Sequence, residues 1–121
     1  MNENIIDPTA IERLKRLGGA KFAAEMLDMF RTYGGKKLIE ARLAQKANDL
    51  PALAAAAHPL KSSAGNVGAV RVQELAARVE QTARAQQGEA AAALLLSLEQ
   101  AFVDAEKILE VEKSNLMKPP A

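Results

Sequence analysis

Apolar residues recur along this chain at steps of three and four, and from residue 7 onward the pattern predicts one helix after another. Asp7 followed by Pro8 marks a helix start, with a side-chain acceptor at the cap and a proline whose missing N–H is harmless there. Ile11, Leu14 and Leu17 outline a short amphipathic helix that Gly18-Gly19 ends. A longer helix follows on Phe22, Met26, Met29 or Phe30, and Tyr33. Gly34-Gly35 predicts a kink or short break before Leu38, Ala41, Leu43 and Ala44 resume the pattern. Asn48-Asp49 caps the next helix, with Pro51 near its first turn. In it Leu50, Leu53, Ala57, Leu60, Ala64 and Val67 form one clean apolar stripe, and Gly68 marks its end. Val72, Leu75, Ala76, Val79 and Ala83 predict a further helix closed by Gly88. The last helix carries Ala91, Leu94, Leu98, Phe102, Ala105, Ile108 and Leu109.

One short helix and four longer ones, joined by short connections, predict an all-α fold: an up-down-up-down antiparallel four-helix bundle with a short additional N-terminal helix. At 121 residues the chain is expected to form a single domain over 1–121, with an ordered core of about 7–113 and a flexible tail over 114–121 that contains Pro119-Pro120. Composition agrees with the pattern. Hydrophobic residues make up 49% of the chain, many of them alanine, while aromatic residues make up 3%, a balance that favours helix over strand. No internal repeat or linker is visible.

Charge and cysteine content narrow the function classes. Sixteen basic residues stand against fifteen acidic ones, interleaved along the chain, so no strong field favours nucleic acid or a membrane surface. The absence of cysteine removes disulfides, thiolate-bound zinc and thiol catalysis, and fits a reducing compartment. Met1 to Pro8 has acids where a signal peptide has bases, and no apolar run approaches the length of a membrane span. The expectation is a soluble cytoplasmic protein with complete ends.

His58 is the one histidine. It follows Ala57, which rotates it by about 100° from the apolar stripe. Its own face carries Ala54, His58, Lys61, Ser62 and Gly65, small residues around one imidazole and one ammonium group. A lone histidine is most often an inconsequential surface residue, and the off-stripe position weakens a buried structural role. A metal site lacks ligands. A serine nucleophile at Ser62 or Ser63 lacks an evident oxyanion hole. The chemistry that suits the face is phosphoryl transfer through the ring nitrogen: a neutral imidazole is a competent nucleophile, Lys61 places positive charge beside phosphoryl oxygens, and small neighbours leave room for a partner.

The segment Ala57-His58-Pro59-Leu60-Lys61-Ser62-Ser63-Ala64-Gly65-Asn66-Val67-Gly68-Ala69 resembles the signature of histidine phosphotransfer (HPt) domains. That signature is a histidine, an apolar residue two on, lysine three on, glycine four on, then small residues, and glycine-alanine ten and eleven on. The resemblance implies that His58 is the phosphorylated residue, that Lys61 steadies the phosphate, and that Gly68 lets the helix turn closely against its partner. It also implies that Glu80, 22 residues after the histidine, accepts a hydrogen bond from the ring and fixes its tautomer; an exposed, merely solvated glutamate is the plain alternative. Gly65, Gly68 and Ser62 are expected to keep approach to phosphate and partner open. Ser62 departs from the signature, standing where glycine is usual. Pro59 should bend the helix and free the carbonyl of Ala55.

The implied function is that of a phosphorelay intermediate, a carrier between receiver domains and a hybrid histidine kinase, with no cofactor of its own. Magnesium is expected only in the partner receiver domain. No phosphate-cradling glycine loop for ATP is visible. A monomer is expected, docking through the His58 face and exposed apolar residues of the first two helices; Leu14, Met26 and Met29 are candidates, each of which also fits the core. The competing readings are a phosphate-independent helical adaptor with the same fold, an ATP-using kinase or a fragment of one, and a serine hydrolase.

Overall fold

A computed structural model describes residues 5–118, and among them the secondary structure is four α-helices and no strand. They are α1 (Pro8–Lys46), α2 (Leu50–Asn66), α3 (Val70–Arg84) and α4 (Gly88–Leu116). Each packs against the next, and α1 also packs against α4, so the four close around one core. Leu27, Leu53, Leu60, Leu95 and Leu98 are among the large side chains at its centre.

The helix starts follow the capping chemistry of the sequence. The Asp7 carboxylate accepts from the Thr9 backbone N–H at 3.0 Å, and that of Asp49 from the Ala52 N–H at 3.1 Å. The expected short helix and its successor are joined into α1, broken only at Gly19, whose φ of 90° and ψ of 177° are accessible to glycine and not to helical residues.

Three expectations are corrected. Gly34-Gly35 does not break the helix. Gly34 is buried at the contact with α4, where a Cβ would lie 2.5 Å from Cε1 of Phe102, so its function is close packing rather than bending. Before Gly34 the core stripe of α1 is displaced by one position: Ala23, Leu27 and Phe30 are buried, whereas Phe22, Met29 and Tyr33 are exposed and Leu17 is 73% exposed. Beyond it Leu38, Ala41 and Ala44 are buried as expected and Leu43 is exposed. Gly88 opens α4 rather than closing α3; the chain leaves α3 through Gln86, in the left-handed region at φ 59°. α4 runs to Leu116, and Pro119-Pro120 of the expected tail lies outside the described residues.

In α2 and α3 the sequence pattern and the packing agree. Leu53, Ala57, Leu60, Ala64 and Val67 are buried, with Leu50 half-buried, and Val72, Leu75, Ala76, Val79 and Ala83 face them. Gly68 makes the turn between these helices at φ 77°. Its carbonyl accepts from the Asp7 N–H at 2.7 Å, which ties the N-terminus of α1 across the α2–α3 turn. Gly68 is itself buried, close to Asp7 and Ala10.

Candidate functional site

His58 projects from the middle of α2, its side chain 61% exposed. Ala54 on the same helix is buried beneath it, and Ser62, one turn on, is exposed without a hydrogen-bond partner among the described residues. Pro59 sits within α2 without interrupting it. The N–H that proline lacks would have reached the carbonyl of Ala55. Ala55 lies at an exposed position, where water can take up that carbonyl.

The neighbouring helix supplies a carboxylate. Glu80 follows Val79 on the face of α3 that meets α2, and its side chain is only 7% exposed. It is the buried charged residue of the core. Its plain reading as a solvated surface glutamate is therefore set aside. Its two oxygens divide the work. Oε1 accepts from Lys61 Nζ at 2.5 Å; Oε2 lies 2.6 Å from His58 Nδ1 and accepts from Arg84 Nη2 at 2.9 Å and Nε at 3.2 Å.

Burial pushes the Glu80 carboxyl up. The hydrogen bonds from Lys61, Arg84 and His58 outweigh it and bring the group from 4.5 to about 2. Glu80 is thus ionised at neutral pH and can only accept, so the ring nitrogen facing it, Nδ1, carries the proton. In the neutral form of the ring the lone pair then stands on Nε2, the other nitrogen.

The pKa has a thermodynamic consequence. A carboxyl lowered in the folded state stabilises the fold above its unfolded value and loses that contribution as pH falls through the folded one. The gap between 4.5 and about 2 corresponds to on the order of 2 kcal/mol, after allowance for solvent around Lys61 and Arg84. The urea midpoint of the wild type should therefore exceed that of Glu80→Gln by a constant margin above pH 5. The margin should shrink as pH falls toward 2; a margin independent of pH would deny Glu80 this role.

An apolar strip borders the site on the α1 side. Phe22, Met26, Met29 and Tyr33 recur along α1 at helical spacing; three are exposed and Met26 is half-buried. A groove of about 180 Å³ separates Met29 and Tyr33 from Ser63 and Asn66 of α2. Of the residues expected to dock partners, Met29 is exposed here, whereas Leu14 is buried in the core. Gly65 is covered in part by Gln73, whose Nε2 lies 2.7 Å from where a Cβ would stand. Sequence reasoning missed Arg84. Its signal was the spacing of four between Glu80 and Arg84 on one helix, which brings the two side chains together.

Among the described residues no three His, Asp or Glu side chains gather as a metal ion would require, and no helix is long and apolar enough to cross a membrane. The family model of the Hpt domain matches residues 25–108, well over half of the chain and the whole of the site just described. Solved structures share the fold, among them these two. The crystal structure of histidine-containing phosphotransfer protein B from Pseudomonas aeruginosa PAO1 is 24% identical, with a TM-score of 0.86 over 91% of this chain and 95% of that one. A rice protein assigned as a histidine-containing phosphotransfer protein is 16% identical, with a TM-score of 0.80 over 97% of this chain and 87% of that one. No curated protein sequence matches significantly. An exposed imidazole on one helix, steered by a carboxylate from the next and embedded in this match, establishes that the chain belongs to the Hpt domain family.

Proposed function

We propose that this protein is a phosphorelay carrier that holds a phosphoryl group on Nε2 of His58 and passes it between receiver domains and a hybrid histidine kinase. The observation that carries the reading is the hydrogen bond from Nδ1 to the ionised Glu80, because it leaves a lone pair on the other nitrogen of the neutral ring. In the forward step that lone pair attacks the phosphorus of a receiver's aspartyl phosphate. The Nε2–P bond forms, the O–P bond breaks, and its electron pair returns to the aspartate carboxylate. The ring becomes a phosphoimidazolium with its proton still on Nδ1, and Glu80 faces the new positive charge. Lys61, one turn from His58, balances the phosphoryl oxygens.

The remaining expectations complete this reading. The four helices form an up-down-up-down antiparallel bundle, the segment before Gly19 is its short additional helix, and residues 1–121 make one domain. The protein supplies no cofactor and no ATP site, and the magnesium needed for transfer belongs to the receiver. It acts as a cytoplasmic monomer. The receiver docks over His58, Ser62 and the apolar strip of Phe22, Met29 and Tyr33, which excludes water from the transfer.

The test is label transfer from a phosphorylated receiver or kinase. The expected product is acid-labile and base-stable, as phosphohistidine is. Failure to acquire label from any receiver would favour the phosphate-independent adaptor. Lys61→Ala is expected to slow loading by roughly tenfold, as loss of one charged donor to a phosphoryl group should, and to lower the thermal midpoint by a few degrees, because it also takes a partner from the buried Glu80 carboxylate. Unchanged kinetics would remove Lys61 from the mechanism.

A further inference from the structure

We infer that Arg84 is a positioning residue: it anchors Glu80 from within α3, so that Lys61 is free to leave Glu80 for the phosphoryl group while the His58 ring stays aligned. The inference rests on the phosphocarrier reading for its second half and on geometry alone for its first.

In the resting protein Lys61 is not available to a phosphate, because its ammonium group is 2.5 Å from Oε1 of Glu80. Turning it toward a group on Nε2 takes one cation away from a carboxylate that is 7% exposed. A buried carboxylate stripped of its charge partners is costly, since neither water nor protein replaces them. Arg84 changes that cost. Its Nε and Nη2 both reach Oε2, the oxygen on which His58 Nδ1 also bears. It therefore holds the acceptor of the ring in place while Oε1 gives up Lys61.

The origin of each cation matters. Lys61 comes from α2, the helix that carries His58, and can turn toward the ring nitrogen one turn away. Arg84 comes from α3, four residues beyond Glu80, and so stays with the carboxylate. Exposed pairs at this spacing usually contribute little. Arg84 differs because, although its own side chain is 63% exposed, its partner is buried and shared with the ring.

The experiment uses the intact protein with phosphoramidate as phosphodonor, whose P–N bond breaks with loss of ammonia as the Nε2–P bond forms. Arg84→Ala is expected to load roughly tenfold more slowly, the scale of a lost charged hydrogen bond, with a thermal midpoint lowered by a few degrees as one partner of the buried carboxylate is lost. Arg84→Lys should recover most of the rate. In a Glu80→Gln background, Arg84→Ala should add no further loss. Nitrogen-15 spectra of the unphosphorylated proteins should show the Nδ1–H tautomer in the wild type and a mixture in Arg84→Ala. Wild-type loading by Arg84→Ala, an equal loss in both backgrounds, or an unchanged tautomer would each overturn the proposal. If the wild type itself takes no label on His58, the phosphocarrier reading fails, while the tautomer spectra still decide whether Arg84 positions Glu80.

Discussion

A His58→Gln variant is expected to fold as the parent does and to take up no phosphoryl label. The side chain is 61% exposed and contributes little apolar burial, so its replacement should move the unfolding free energy by less than about 1 kcal/mol. The glutamine amide can still donate toward Glu80, and Lys61 and Arg84 continue to pair with that carboxylate. What the variant lacks is a ring nitrogen with a free lone pair, and the chain has no second imidazole to supply one. Labelling with a radioactive phosphorylated receiver, alongside thermal unfolding by circular dichroism, separates the two effects. Label that persists at the parental level would place the acceptor elsewhere. Ser62 and Ser63 would then be the nearest hydroxyls, and a phosphoserine would betray itself by lability to base instead of acid.

The histidine and its lysine were legible in the sequence because their spacing alone puts them on one face of α2, away from the apolar stripe. α2 and α3 were legible for a related reason: both meet neighbours along most of their length, so their stripes are nearly unbroken. The part of α1 before Gly34 was misjudged by one position because Phe22, Met29 and Tyr33 also recur at helical spacing, one residue from the buried Ala23 and Phe30. The core side of α1 is lined by the small Ala23, Ala24 and Gly34 beside Leu27 and Phe30, and the Phe30 ring meets that of Phe102 with centroids 5.3 Å apart. The larger Phe22, Met29 and Tyr33 lie outside, and Met29 and Tyr33 border the groove toward Ser63 and Asn66. Glu80 could be placed 22 residues from the histidine, but not inside the core, because its burial depends on three donors converging from two helices. Arg84 was invisible for the same reason: a glutamate and an arginine four apart are ordinary on a helix surface until one of them is buried. Gly34 and Gly68 show the same limit from another side. Both are glycines at which the apolar pattern pauses, yet one is helical and admits a phenyl ring while the other requires a left-handed backbone.

That difference between glycines makes the second large effect predictable. Gly68→Val is expected to destabilise the protein by about 3 kcal/mol or more. An L-residue in the left-handed region costs roughly 1–2 kcal/mol, and a β-branched one lies at the upper end. The new Cβ would also press on the Asp7 carbonyl oxygen and stand 2.8 Å from the Ala10 Cβ. These neighbours cannot simply step aside, because the Asp7 N–H is bonded to the carbonyl of Gly68 itself at 2.7 Å and Ala10 is buried. Relief requires the N-terminus of α1 to lift from the α2–α3 turn, with Gly19 as the break at which the lifted part ends. The expected result is a fall in thermal midpoint of about 10 °C for a domain of this size, with amide exchange accelerated first in residues 7–18. Gly35→Ala supplies the control. That glycine is helical and a Cβ there meets nothing within 4 Å, so alanine should raise stability by about 0.5–1 kcal/mol. Equal behaviour of the two variants would mean that neither the left-handed turn nor the packing of Asp7 and Ala10 constrains position 68. Uniform acceleration of exchange throughout Gly68→Val would instead show that the segment before Gly19 unfolds only with the whole bundle. Because α2 ends at this turn and presents His58 two turns earlier, a protein that lifts its N-terminus locally should still load phosphate, whereas one that melts globally should not.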